Sequence, residues 1–144
     1  MFETLIKILE EDKYLTLETT PSHEPTMDNI LYNIEKYGLD KKFCAFSTTD
    51  NPLAKLKYNG MFASVKIQKK FNKPVITTMS MRDRNKIALQ SDLLGGNDFD
   101  IRAILTLTGD PAHMSDQPRA KAVFEGNSNM LLDIINSFNN GMDY

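Results

Sequence analysis

Four times along this chain a short, continuous apolar run gives way to a longer stretch whose apolar residues fall at helical spacing. The runs cover residues 14–17, 43–47, 74–78 and 101–107. Each is too short for a helix, and each is apolar without the strict alternation of a strand that has one wet face. The helical stretches follow: Met27, Ile30, Leu31 and Ile34; residues 52–71; residues 83–95; then Leu131, Ile134, Ile135 and Phe138. One further stripe, Phe2, Leu5, Ile6 and Leu9, precedes the first run. Glu18 ends the first strand before the breaker Pro21, and Gly38 stops the first crossover helix. Asn51 reads as the cap of the next helix, with Pro52 at its first position. Asp83 opens the third helix and Gly95-Gly96 closes it. The strands recur roughly 30 residues apart, the length of a βα unit. This is an α/β chain with a parallel sheet, and pattern alone leaves a doubly wound sheet and a (βα)8 barrel equally open.

With 144 residues, the chain reads as one domain spanning 1–144. Its 41% hydrophobic and 25% charged residues suit a packed core and argue against disorder. A net charge of -2 gives no basis for expecting nucleic acid as a partner. Lys55, Lys57, Lys66, Lys69 and Lys70 read as the wet face of a helix. No apolar run approaches the ~20 residues that a bilayer requires, so no membrane partner is expected. The acid-rich start, without a basic flank or cleavage site, makes the cytoplasm the expected compartment. Cys44 is the only cysteine, which excludes an internal disulfide and reads as a small buried thiol. His23 and His113 lie far apart with no metal-ligand spacing, so no metal site is expected.

No Gly-rich dinucleotide loop follows the first strand, where Glu18-Thr19-Thr20-Pro21-Ser22 stands instead. Reactive groups of parallel α/β folds gather at the C-terminal ends of the strands. Those ends read Glu18; Ser47-Thr48-Thr49-Asp50; Thr77-Thr78-Met79-Ser80; and Thr108-Gly109-Asp110. Two carboxylates and a ring of hydroxyls on one rim would make a polar site with acid-base capacity. Plainer roles exist for the same residues: Glu18 as a solvated strand end, Asp50 as a helix cap, Thr108-Gly109-Asp110-Pro111 as a turn.

Three segments carry a resemblance: Ser47-Thr48-Thr49-Asp50-Asn51-Pro52, Met81-Arg82-Asp83-Arg84-Asn85 and Leu107-Thr108-Gly109-Asp110-Pro111. A fourth joins Ile87 to Gly95 with the run that starts at Ile101. In order and spacing the sequence resembles the methylenetetrahydrofolate reductase family over nearly its whole length, in the branch that carries T-D-N-P and R-D-R-N. The resemblance implies a TIM-type (βα)8 barrel of which the first four βα units are present, a half-barrel. It implies FAD at the C-terminal rim, NADH or NADPH as electron donor, and a folate substrate. The implied reaction reduces 5,10-methylenetetrahydrofolate to 5-methyltetrahydrofolate, a step of one-carbon and methionine metabolism.

By position, the resemblance makes Glu18 the general acid that promotes opening of the folate's five-membered ring. That role asks for a carboxyl kept protonated by partial burial. Asp110 becomes the aspartate beside flavin and pterin, a second catalytic residue. The implied cofactor-binding residues are Thr49, Thr78, Arg82, Asp83, Thr108, Gly109, Asp110, Val123 and Phe124. Many family members carry histidine where this chain has Thr78 and arginine where it has Thr108, so two groups offered to flavin elsewhere are replaced here. A family barrel needs about 250 residues. The resemblance therefore implies self-association or a complementary C-terminal half-barrel for activity, the alternative being a non-catalytic flavin- or folate-binding half-barrel.

Overall fold

Each apolar run feeds a strand in the computed structural model, which describes residues 1–11, 14–117 and 119–141, although the first strand starts two residues late at Thr16 and runs through Glu18 to Thr19. β1 (Thr16–Thr19), β2 (Ala45–Thr48), β3 (Val75–Ser80) and β4 (Ala103–Leu107) pair in chain order, every pair parallel. α1 (Phe2–Glu10) precedes β1, and α2 (Asp28–Lys36) with the single turn α3 (Leu39–Lys42) leads to β2. α4 (Gly60–Phe71), α5 (Lys86–Asp98) and α6 (Ser128–Asn139) follow β2, β3 and β4 in turn. This is an α/β fold with a four-stranded parallel sheet, consistent with half of a barrel.

Two apolar clusters fasten helices to one face of the sheet. Phe46 and Val75 meet Met27, Ile34, Ala63 and Ile67, with Leu17 and Phe71 packed against them. The rings of Phe46 and Phe71 stand 5.6 Å apart. Met79 and Met81 meet Leu89 and Leu131, joined by Ile104 of β4. Burying one such side chain contributes about 1.5–3 kcal/mol, so these clusters carry most of the fold's stability. Buried hydroxyls add specificity between α4 and the sheet. Thr77 Oγ1 donates to Ser64 Oγ at 2.8 Å, and Thr48 Oγ1 lies 2.7 Å from the same atom.

Alternation along the strands turns the other residues to the opposite face. Glu18, Ser47, Ile76 and Ala103 share one row across the sheet, with Thr78 and Leu105 paired above it and Ser80 and Leu107 above those. No helix of the described residues covers this face at β4, where Leu105 is 49% and Leu107 42% exposed. Among the described residues, no helix is long and apolar enough to cross a membrane.

The structure corrects several boundaries read from sequence. β3 runs to Ser80, two residues past the expected end. The helix expected from Asn51 through Phe71 divides into a 3-10 turn, Pro52–Ala54, an irregular stretch and then α4. Asn51, with φ 44°, stands before the 3-10 turn that opens at Pro52 but makes no side-chain cap there, its Oδ1 accepting the Lys57 N–H at 2.9 Å; α4 is capped by Asn59, whose Oδ1 accepts the Phe62 N–H at 3.1 Å. Likewise Asn85, not Asp83, caps α5. Gly95-Gly96 does not end α5, which continues to Asp98. Gly96 is there for closeness: a Cβ on it would lie 2.9 Å from Met61 Sδ.

Candidate functional site

Because all four strands are parallel, their C-terminal ends form one rim. Glu18 in β1, Thr49 just past β2, Thr78 in β3 and Asp110 past β4 all belong to it. Glu18 and Asp110 hang from the two outer strands, three inter-strand spacings or about 14 Å apart across the sheet. Glu18 is exposed, so these residues do not supply the partial burial that an acid role asks of it. Two of the expected hydroxyls turn away from the rim, because Thr48 and Thr77 point into the helix layer.

The densest chemistry lies between the β2 and β3 loops. Asp50, expected as a helix cap, is instead a buried acid whose side chain is 2% exposed. Its Oδ2 accepts the Ser80 N–H and the Ser80 hydroxyl, both at 2.9 Å, and Arg84 Nη1 at 2.6 Å. Arg84 Nη2 reaches Asp50 Oδ1 at 3.2 Å, and Nε reaches Asp92 at 2.8 Å. Burial works against the Arg84 charge, but Asp50 and Asp92 more than offset it and raise its pKa. Sequence reading missed this cluster.

Arg82, expected to contact flavin, is 2% exposed and spends its guanidinium inside the protein. Nε and Nη2 grip the neighbouring Asp83 carboxylate at 2.8 and 2.6 Å, and Nη2 also donates to Asn51 O at 3.0 Å. The hydrogen bonding from Arg82 holds the Asp83 carboxyl below the usual carboxylate range against the opposing effect of burial. Val123 and Phe124 come to the same loop, the Val123 N–H donating to Arg82 O at 2.7 Å. Both are exposed on the rim, Val123 at 45% and Phe124 at 38%. The Thr108 hydroxyl accepts the Ser128 N–H at 3.2 Å and so helps hold the start of α6.

Across the rim runs a strap, residues 51–57. Leu53 N–H donates to Asp110 Oδ2 at 2.6 Å, and Leu56 N–H to Asp116 Oδ1 at 3.2 Å. The hydrogen bond from Leu56 lowers the pKa of Asp116. Asn51, Leu53 and Ala54 all carry left-handed backbone, with φ of 44°, 56° and 56°. Such conformations cost on the order of 1–3 kcal/mol each in residues other than glycine. The Thr49 hydroxyl is buried with no hydrogen-bond partner.

Gly109 must be glycine. Its φ is +102°, and a Cβ there would lie 2.9 Å from Arg82 Cβ and 3.3 Å from Ser80 Cβ. Gly109→Ala should therefore destabilise the domain by about 2–4 kcal/mol, strain and contact outweighing the unfolded-state gain of alanine. Urea denaturation checks this, and a loss under about 0.5 kcal/mol would mean the rim yields freely.

Toward a polar cofactor Thr49 has an unengaged hydroxyl, whereas the bare side of Gly109 is already filled by Ser80 and Arg82. Among the described residues, no group of three or more His, Cys, Asp or Glu is arranged to hold a metal. An open groove of about 980 Å³ lies elsewhere, lined by Leu93, Leu94, Ile101, Ile104, Ile135 and Phe138. It borders the start of β4 and the helix layer, so it belongs to the end of the sheet opposite the rim.

Parallel strands, a helix layer on one face and acids at the strand ends define an α/β protein of the kind that works at its C-terminal rim. The methylenetetrahydrofolate reductase family profile matches residues 2–144, and the chain belongs to that family. Membership points to a methylenetetrahydrofolate reductase-type oxidoreductase, in a family that is generally flavin-dependent. No curated protein matches the chain in sequence.

Proposed function

We propose that this chain forms the first half of a (βα)8 reductase barrel, binds FAD along its rim, and acts in the cytoplasm on 5,10-methylenetetrahydrofolate. The reading rests on one conjunction: a family match over residues 2–144, with Glu18, Thr49 and Asp110 all at the C-terminal end of one parallel sheet. Bound flavin, reduced by NADH or NADPH, supplies the hydride that turns the methylene group into a methyl group. The chain's own residues do the rest. Thr49 gives its hydroxyl to the cofactor, and Gly109 lets the loop after β4 pack closely on Ser80 and Arg82. Asp110 fixes donors of the ligand and sets the local negative charge. Glu18 delivers a proton as the folate's five-membered ring opens. Arg82 acts through Asp83 and Asn51, holding the loop against which the cofactor lies.

Activity in this reading requires a second half, either another copy of the chain or a complementary C-terminal half-barrel. Two observations support that requirement. β1 and β4 are edges without partners among the described residues, and β4 carries exposed Leu105 and Leu107 on the uncovered face. Closing the sheet would pair both edges and cover Glu18. The exposed state of Glu18 equally favours a second reading, a half-barrel that binds flavin or folate without turning it over.

Titrating the purified chain with FAD tests the cofactor assignment. Uptake should give a yellow protein with quenched flavin fluorescence, and Thr49→Ala should weaken it by about tenfold, the value of one hydrogen bond. A chain that carries no flavin after free FAD is removed from a millimolar incubation, and that quenches no flavin fluorescence, is not a flavoprotein half. Methyl-group formation on adding a second half separates catalyst from binder.

A further inference from the structure

The strap spanning residues 51–57 has features that its role as a connection does not require. Three consecutive-region residues, Asn51, Leu53 and Ala54, hold left-handed backbone, and neither leucine nor alanine has a side-chain amide to favour it. Little apolar burial compensates, since Leu53 is 47% and Leu56 45% exposed and only Ala54 is buried. What holds the strap down is polar and comes mainly from other elements. Asp110 and Asp116, in the segment after β4, accept the Leu53 and Leu56 N–H groups. Arg82 donates to Asn51 O, and Ser22 O accepts the Tyr58 N–H at 2.8 Å. Just before the strap in the chain, the Thr49 hydroxyl is buried without a partner. A segment strained internally and clamped externally by two carboxylates has two natural states, clamped and released.

We propose that residues 51–57 are a two-state latch over the rim, closed by Asp110 and Asp116, in which the Leu53 N–H occupies the carboxylate that a ligand must use. In the closed form Asp110 Oδ2 already has its donor at 2.6 Å, so a ligand bringing its own N–H group there displaces Leu53 and frees the strap. That last step rests on the ligand role proposed above for Asp110; the latch itself rests on the geometry alone. Asp116 touches the strap and not the rim's ligand surface, which makes it the clean handle.

Amide hydrogen exchange at Leu53 and Leu56 reads the latch directly in the whole chain. In Asp116→Ala both amides should exchange about tenfold faster, although only Leu56 has lost its acceptor, because the strap opens as one unit. Leu53→Gly, which removes strain without touching either carboxylate, should slow exchange at residue 56 by about threefold or more. Faster exchange at Leu56 alone, with Leu53 unchanged, overturns the latch. So does Leu53→Gly leaving residue 56 unchanged or exchanging faster. Adding 5-methyltetrahydrofolate to the unaltered chain should speed exchange at Leu53 and Leu56. Variants that behave as expected beside an unresponsive unaltered chain would overturn displacement by ligand, and with it the folate role of Asp110, while the two-state strap stands.

Discussion

Asp50→Ala should cost the domain about 3–5 kcal/mol, the usual penalty for stranding one partner of a buried ion pair. Three losses combine. The Arg84 side chain is 13% exposed and would keep Asp92, itself 36% exposed, as its remaining ion-pair partner. The Ser80 N–H at the end of β3 would lose its acceptor, which by itself costs about 1–3 kcal/mol. A void would open at a position now 2% exposed in its side chain. Against a typical total of about 5–15 kcal/mol, such a loss leaves little margin. Asp50→Asn keeps an oxygen for Ser80 and should fall between the variant and the original. Adding Arg84→Met to Asp50→Ala should restore about 1–2 kcal/mol, since the stranded charge is then gone. Urea denaturation of these proteins, together with Arg84→Met alone, measures all of this. A single-variant loss below about 1 kcal/mol, or strict additivity in the double variant, would mean that Asp50 and Arg84 are held by packing and not by each other.

The same cluster illustrates what the sequence could and could not disclose. All four strands were legible because parallel strands buried under helices read as unbroken apolar runs, and nothing else in the chain imitates them. Their lengths were less so: β3 reaches Ser80 because it pairs there with Leu107 of β4, and Asp50, thirty positions away, accepts the Ser80 N–H. Asn51-Pro52 is a sound local signal for a helix start, yet tertiary donors and acceptors override it. Arg82 takes the Asn51 carbonyl and Asp110 takes the Leu53 N–H, both from segments that no window around residue 51 contains. The true cap, Asn59, has the right chemistry and simply stands eight residues later. Gly95-Gly96 looked like a stop because glycine usually ends helices. Here it permits α5 to lie against Met61.

The candidate site divides along a similar line. That Glu18, Thr49 and Asp110 share a rim followed from strand direction, which the apolar pattern already implied. Which hydroxyls face the rim depends on the phase of a period-two alternation, and a shift of one residue exchanges the two faces. The phase observed sends Thr48 and Thr77 to Ser64 and leaves Thr78 on the open side. Arg82 looked like a cofactor ligand because an arginine at a strand end so often is one. Its neighbour Asp83 accepts two of its hydrogen bonds first, and adjacency in sequence gave no hint of that geometry.

In a barrel completed by a second half, Glu18→Gln should slow methyl-group formation by about 10²–10⁴-fold, the range for loss of a general acid. Flavin reduction by NADH or NADPH should stay within about threefold, because that half-reaction needs no proton at the folate ring. Glutamine matches the size and the hydrogen-bonding reach of glutamate but has no proton to give, so binding of folate should persist. The split is informative because Glu18 stands exposed in this chain, in one row with Ser47, Ile76 and Ala103 on the uncovered face. A second sheet half would cover it and supply the partial burial that the acid role asks for. Stopped-flow traces of the two half-reactions decide the matter. Equal losses in both would make Glu18 a structural strand end, and an unchanged folate step would leave the rim without its acid.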